Sequence, residues 1–215
     1  MNIISTRRLP AAQYLETEYE KTGIVLHFTA GATAGGALDW WKVTPERVAA
    51  PYVISARGEV FEAYPDKCWA FHLGVKGHSN LDKHTIAIEI VNVGPLQHSN
   101  SIAAGQGKLC WWPENFSKPY CDVTSTYMYT LLPGRGWRGF QYFANYTPEQ
   151  YASVNELLRH ICSQHGINRE CVPATKRLLT DLAFMSTFKG ISAHSNFRKD
   201  KTDVGPAFDW VKLVL

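Results

Sequence analysis

Two histidines and an aspartate in this chain have the types and setting that suit a metal ion. His27 closes the β-branched run Gly23-Ile-Val-Leu-His27 and is followed by the small-residue turn Thr29-Ala30-Gly31. His194 follows a second short run, residues 188–193, and opens a charged segment that reaches Lys201 and Asp203 before Gly205-Pro206 fixes a turn. Both positions predict imidazoles aimed out of strand ends into a cleft. Zn²⁺ takes imidazole nitrogen and carboxylate oxygen readily. Three protein ligands, His27, His194 and Asp203, leave its fourth position open, which is the catalytic rather than the structural arrangement. Structural zinc usually recruits cysteine, and Cys68, Cys110, Cys121, Cys162 and Cys171 all lie away from these motifs. They form no C-x-x-C pair and read as reduced thiols, with a Cys110–Cys121 bridge left open for an oxidising space.

The elements that must position these groups are short. Residues 23–28, 51–56, 59–63 and 85–92 are β-branched runs that predict strands. Residues 56–59, Ala-Arg-Gly-Glu, predict a hairpin turn between the second and third. The run Thr85-Ile-Ala-Ile-Glu89-Ile-Val-Asn92 is apolar at nearly every position, as befits a central strand covered on both faces. Thr147-Pro-Glu-Gln150 predicts a capping-box helix start, Tyr151, Val154, Leu157, Leu158 and Ile161 keep helical spacing, and Gly166 supplies the stop. Residues 32–42 predict a second helix, weakened by Gly35 and Gly36. Strands interspersed with helices give an α/β fold: a single domain over residues 1–215 with a central mixed sheet flanked by helices.

Residues 95–146 differ. Trp111, Trp112 and Trp137 stand among Pro113, Pro119, Pro133 and several tyrosines, with no clear period. Such a length without structure is unusual in one domain, so this insertion is expected to carry short elements of its own and to pack over the site. Trp111 and Trp112 are candidates to line a sugar or peptide groove.

Bulk composition sets limits. The 215 residues are 45% hydrophobic and 19% charged, enough for a sizeable core. A net charge of +3 with scattered basic residues is too weak for a nucleic-acid binder and tolerates an anionic polymer. No apolar run approaches the roughly 18–20 residues of a membrane span. The first ten residues lack an apolar stretch behind Arg7 and Arg8, so the chain reads as cytoplasmic as synthesised; a monomer is expected.

Six blocks occur in an order that resembles the zinc-dependent N-acetylmuramoyl-L-alanine amidases of type 2, related to peptidoglycan recognition proteins and phage lysozyme-type amidases. They are Leu26-His27-Phe-Thr-Ala30, Val53-Ile54 with Gly58, His72-Leu-Gly74, the run from Thr85 to Asn92, Thr147-Pro-Glu-Gln150, and Ala193-His194 through Lys201-Thr-Asp203-Val-Gly-Pro206. The resemblance implies one zinc ion at His27, His194 and Asp203, with Glu89 and Lys201 as catalytic groups. It implies hydrolysis of the amide between the lactyl group of N-acetylmuramic acid and L-alanine, in peptidoglycan or a muropeptide. Glu89 would take a proton from water and pass it to the leaving amine; Lys201 would stabilise the oxyanion. A recognition module that binds muropeptide without cutting it is the alternative.

Departures from the pattern are specific. Ala50-Pro51 occupies places where many relatives carry Tyr or His, and Tyr52, one residue on, is expected on the opposite face of its strand. Phe71-His72 replaces the family's Trp-His, which leaves His72 either behind the ligands or in contact with substrate. The setting stays open between a cytoplasmic recycling enzyme and a phage endolysin released by a holin.

Overall fold

The four strands expected from the sequence form and lie side by side. The computed structural model describes residues 1–99, 107–111 and 118–215. Strands are numbered along the chain: β1 (Ile3–Ile4), β2 (Gly23–Phe28), β3 (Tyr52–Ile54), β4 (Val60–Glu62), β5 (Thr85–Ile90), β6 (Pro95–His98), β7 (Lys108–Trp111), β8 (Pro119–Asp122), β9 (Tyr129–Leu131), β10 (Tyr142–Ala144) and β11 (Ile191–Ala193). The central sheet has six strands in the order β1-β4-β3-β5-β2-β11. It is mixed: β3 and β4 form an antiparallel hairpin, whereas β2, β5, β3 and β11 run parallel. The hairpin turns at Gly58, whose φ of 80° is free of steric cost only in glycine.

The helices are α1 (Ala34–Trp41), α2 (Ser79–His84), α3 (Pro148–His165) and α4 (Leu182–Met185). At the start of α3, Thr147 Oγ1 accepts from the Gln150 amide at 3.1 Å and the Gln150 side chain accepts from the Thr147 amide at 3.0 Å. Gly166 ends the helix in the left-handed conformation. Strand alternation then sorts the two sheet faces. Ile86, Ile88 and Ile90 pack in the core with Val154, Leu157, Leu158 and Ile161 of α3. Ala87 and Val91 point the other way and pack with Leu38 and Trp41 of α1. Glu89 lies between Ala87 and Val91 in that alternation, so it belongs to the α1 face. The expected double-sided cover of this strand is present.

The insertion is more regular than the sequence suggests. Its strands build a second, antiparallel sheet of five in the order β8-β7-β6-β10-β9, with Leu96, Leu109, Cys121 and Tyr129 in its own core. Period reading misses it because each strand has only three or four residues and two begin on proline. Proline lacks the amide donor and is tolerated at such first positions. Cys110 and Cys121 sit on neighbouring strands as free thiols, Cys121 opposite Leu109 and Cys110 opposite Pro119. No helix among the described residues is long and apolar enough to cross a membrane.

Candidate metal centre and acid–base site

His27 is the penultimate residue of β2, Glu89 the penultimate residue of β5, and the two are register partners. Neighbours in a parallel ladder project to the same face, so one pairing delivers both side chains to one face of the sheet. β11 lies on the other side of β2 and ends one residue before His194. The Ser195 amide donates to the Asp203 carbonyl at 2.8 Å, which folds the loop back and returns Asp203 to the histidines. The result joins residues from positions 27, 194 and 203: their donor atoms all lie within 4.8 Å of one another, and all three side chains are buried.

The hydrogen bonds behind the histidines fix which ring nitrogen faces the centre. Thr85 Oγ1 donates to the Leu81 carbonyl at 2.6 Å and so accepts from His72 Nε2 at 3.0 Å. His72 Nδ1 is then an acceptor and takes the proton of His27 Nε2, 3.1 Å away. The lone pair of His27 Nδ1 is left pointing at Asp203 Oδ2, at 3.1 Å. His194 Nε2 donates to the Leu73 carbonyl at 2.9 Å, and its Nδ1 lies 3.0 Å from the same Asp203 oxygen. A ligating histidine is characteristically oriented by this kind of outer hydrogen bond.

Two imidazole nitrogens around one carboxylate oxygen require a positive charge among them, a proton or a metal ion. Zinc bonds of about 2.0–2.2 Å in a tetrahedron place ligand atoms about 3.3–3.6 Å apart, close to the 3.1 and 3.0 Å between the two imidazole nitrogens and Asp203 Oδ2, so the donor set suits that ion. Burial pushes the His27 imidazole down to about 4, with the neighbouring His194 adding to it, and burial holds His72 well below its ordinary range. Both rings are therefore neutral at pH 7, as ligation and the relay require. Burial opposes ionisation of Asp203, yet His194 and His27 outweigh it and hold the carboxyl well below the usual carboxylate range.

Glu89 is the opposite case. Burial first, and then the charge of Asp203, push its carboxyl up to about 8, opposed by Lys201. Its Oε2 is enclosed and accepts no hydrogen bond. Such an orphaned acceptor costs free energy unless it holds a proton or meets a ligand. Glu89 also lines a cavity of about 380 Å³ shared with Thr29, Ala30 and Trp40. Lys201 is partly exposed and lies near enough for its charge to act on both Glu89 and His27.

The expected site residues sort as follows. His27, His194 and Asp203 converge, Glu89 faces the adjoining cavity, and Lys201 is within electrostatic reach. His72 stands behind His27 with both ring nitrogens engaged. Trp111 lines a second cavity, and Trp112 lies outside the described residues. Tyr52 pairs with Ile88 while Val53 pairs with Glu89, so Tyr52 faces away from the site as alternation requires.

Three contributors escape a reading of sequence alone. Asp82 Oδ1 accepts from the His72 and Leu73 amides at 3.0 and 2.8 Å, holding the turn that supplies partners to both histidines. Thr85 terminates the relay. Arg138, in the insertion, donates to the carbonyls of Ser195 and Arg198 and to Thr180, each at 2.8–2.9 Å, which ties the insertion to the loop carrying His194. Only the run of residues 71–74 carried a signal for the first of these.

His72→Phe keeps a ring of similar volume but leaves His27 Nε2 without an acceptor. Its zinc affinity, measured by competition with a chelator, is expected to fall about 10–100-fold. Unchanged affinity would show that the relay does not orient His27.

Donors for one cation, with a proton-holding carboxyl on the next strand, are the parts of a metal-assisted hydrolase. The sequence pattern of the N-acetylmuramoyl-L-alanine amidases, type 2, matches residues 18–206, and the chain belongs to that family. A search of curated proteins finds no match. Among solved structures, the chain is similar to the N-acetylmuramyl-L-alanine amidase AmiD from E. coli, in complex with its substrate anhydro-N-acetylmuramic acid-L-Ala-D-gamma-Glu-L-Lys. That match has 18% identity and a TM-score of 0.54, covering 92% of this chain and 58% of that one. AmpDh3 from Pseudomonas aeruginosa matches at 17% identity and a TM-score of 0.51, over 92% of this chain and 60% of the other. The chain thus spans about 58–60% of these structures' length, and at such identity the likeness is one of fold.

Proposed function

We propose that this chain is a zinc-dependent amidase that cuts the bond between the lactyl carbonyl of N-acetylmuramic acid and the amine of L-alanine. The observation that carries the reading is the relay-fixed donor set, His27 Nδ1, His194 Nδ1 and an Asp203 carboxylate oxygen, with the unpartnered Glu89 Oε2 one strand away. When bound, zinc would supply Lewis acidity to the carbonyl and to water, and its charge would favour the ionised form of Glu89.

The chain's own groups complete the chemistry. Glu89 Oε2 accepts a proton from the attacking water and delivers it to the departing amine, a role favoured by a pKa near the working pH. Lys201 offers a cation to the carbonyl oxygen as negative charge gathers there. His72 and Asp82 hold the outer nitrogens and the Leu73 carbonyl in place, so the donors do not reorganise during the reaction.

The test is release of free stem peptide from a soluble anhydromuropeptide, before and after chelation, with zinc restored afterwards. Expected is cleavage that disappears with the metal and returns with it. Zinc-replete protein that binds the fragment and leaves it intact would make the chain a recognition module instead. Parallel turnover on intact sacculi separates a wall-lytic enzyme from one confined to fragments.

A further inference from the structure

The tip of a hairpin in the insertion reaches the loop that carries two of the metal donors. Trp137 and Phe140 exchange backbone hydrogen bonds at 2.9 and 3.0 Å across a two-residue turn, Arg138-Gly139. Both turn residues have positive φ, 52° and 85°. Such a turn favours Asn, Asp or Gly at its first position, so an arginine there goes against local preference. A backbone in so sparsely populated a region persists where its surroundings fix it, and here the side chain does so. Arg138 Nη2 donates to Thr180 Oγ1 at 2.8 Å and to the Ser195 carbonyl at 2.9 Å, and Nη1 donates to the Arg198 carbonyl at 2.9 Å. Thr180 Oγ1 in turn donates to the Ser195 carbonyl at 2.8 Å. Beside them the Trp137 indole donates to the Leu178 carbonyl at 3.1 Å, with the Arg138 guanidinium 4.4 Å from the centre of its ring.

Both residues held in this way lead to His194. Ser195 is fully buried, and while Arg138 holds its carbonyl, its amide holds the Asp203 carbonyl. Arg198 sends its guanidinium to the Gly74 carbonyl at 3.0 Å, and the Leu73 carbonyl next in the chain receives His194 Nε2. We propose that Arg138 is a positioning residue of the metal centre: through Ser195 and Arg198 it keeps His194 and Asp203 in place beside His27, so the insertion contributes to metal affinity. The proposal rests on the reading of those residues as metal ligands. Only an arginine fork suits three acceptors so arranged, because its donors are fixed in one plane. Charge acting alone predicts the opposite sign. Asp203 is near enough to favour the charged form of Arg138, against the effect of burial. A cation at that range repels a divalent ion. Removing Arg138 therefore tightens metal binding if only its charge matters, and weakens it if positioning does.

Arg138→Asn is the deciding variant, because asparagine suits the turn better than arginine and removes the anchor. Circular dichroism is expected to show the parental fold, while zinc affinity, measured by competition with a chelator, falls about tenfold. Affinity equal to the parent's or higher overturns the proposal. Should Arg138→Asn misfold, Thr180→Val removes the hydroxyl between Arg138 and Ser195 at nearly constant shape. Its zinc affinity is expected to fall about three- to fivefold, the worth of one hydrogen bond, and parental affinity there overturns the proposal equally. Zinc binding needs no substrate, so a parent that binds zinc and cuts no muropeptide ends the amidase reading and leaves the affinity comparison to decide this one. If the parent binds no zinc, the metal reading has failed on its own. Hydrogen exchange in the metal-free protein then tests the anchor: faster exchange of the Ser195 amide in Arg138→Asn supports it, and an unchanged rate overturns it.

Discussion

Glu89→Gln is expected to retain stoichiometric zinc and to lose about 10²–10⁴ in kcat on an anhydromuropeptide. The amide keeps the size of the carboxylate and the place on β5, so His27, its register partner, is undisturbed. What disappears is a group able to take a proton from water at neutral pH. The same variant gives a second readout in metal-free protein. Glu89 titrates near 8 when folded, because burial disfavours its charge, against 4.5 for an exposed carboxyl. Between those values the unfolded chain has released a proton that the folded chain retains, so the contribution of Glu89 to stability falls as pH rises. Below about 4.5 both states are protonated and the contribution is flat. The variant should therefore gain on the parent between roughly pH 4.5 and 8, by on the order of 2–4 kcal/mol, and by no more above it. Denaturant melts at several pH values measure this. A variant with near-parental turnover would remove Glu89 from proton transfer; a stability difference independent of pH would show that its carboxyl is not desolvated.

The sequence makes the donors and the central strands legible for one physical reason. His27 closes a β-branched run, Glu89 interrupts another and His194 follows a short third run, and parallel strands with buried faces are written as such runs. Alternation sends Tyr52 to the α3 side, which follows from counting by two, whereas the pairing of Glu89 with His27 is set by the register of β5 on β2. The positioning layer is not written locally. The Asp82 carboxylate accepts from the His72 and Leu73 amides, Thr85 engages His72 through its hydroxyl and Leu73 engages His194 through its carbonyl, contacts that only the fold brings together. The insertion sheet is hidden differently. Strands of three and four residues are too short to display a period, and Pro95 and Pro119 at their starts read as breaks. Arg138 could not have been assigned from its neighbours either, since its three acceptors lie 42 to 60 residues away.

His194→Ala should separate from Glu89→Gln in every readout, which is why the pair is the sharpest test of the site. Removing the imidazole takes away one of three donors and also the group that most strongly stabilises the Asp203 carboxylate. Two remaining ligands do not hold zinc at a catalytic affinity, so metal content after dialysis is expected to fall to background and stem-peptide release with it. The Leu73 carbonyl loses its donor, and the buried Asp203 carboxylate is left facing the lone pair of His27 Nδ1. Leaving a buried carboxylate short of its partner costs roughly 3 kcal/mol or more, so the melting temperature should drop at neutral pH. Asp203 regains a neutral form as pH falls, which makes that drop smaller in acid than at pH 7. Atomic absorption on the dialysed protein, with thermal melts beside it, gives the answer. Parental zinc content in His194→Ala would exclude His194 from the ligand set, whatever happened to activity. Zinc lost with cleavage intact would do more, because it would take the metal out of the reaction and leave Glu89 and Lys201 to account for it alone.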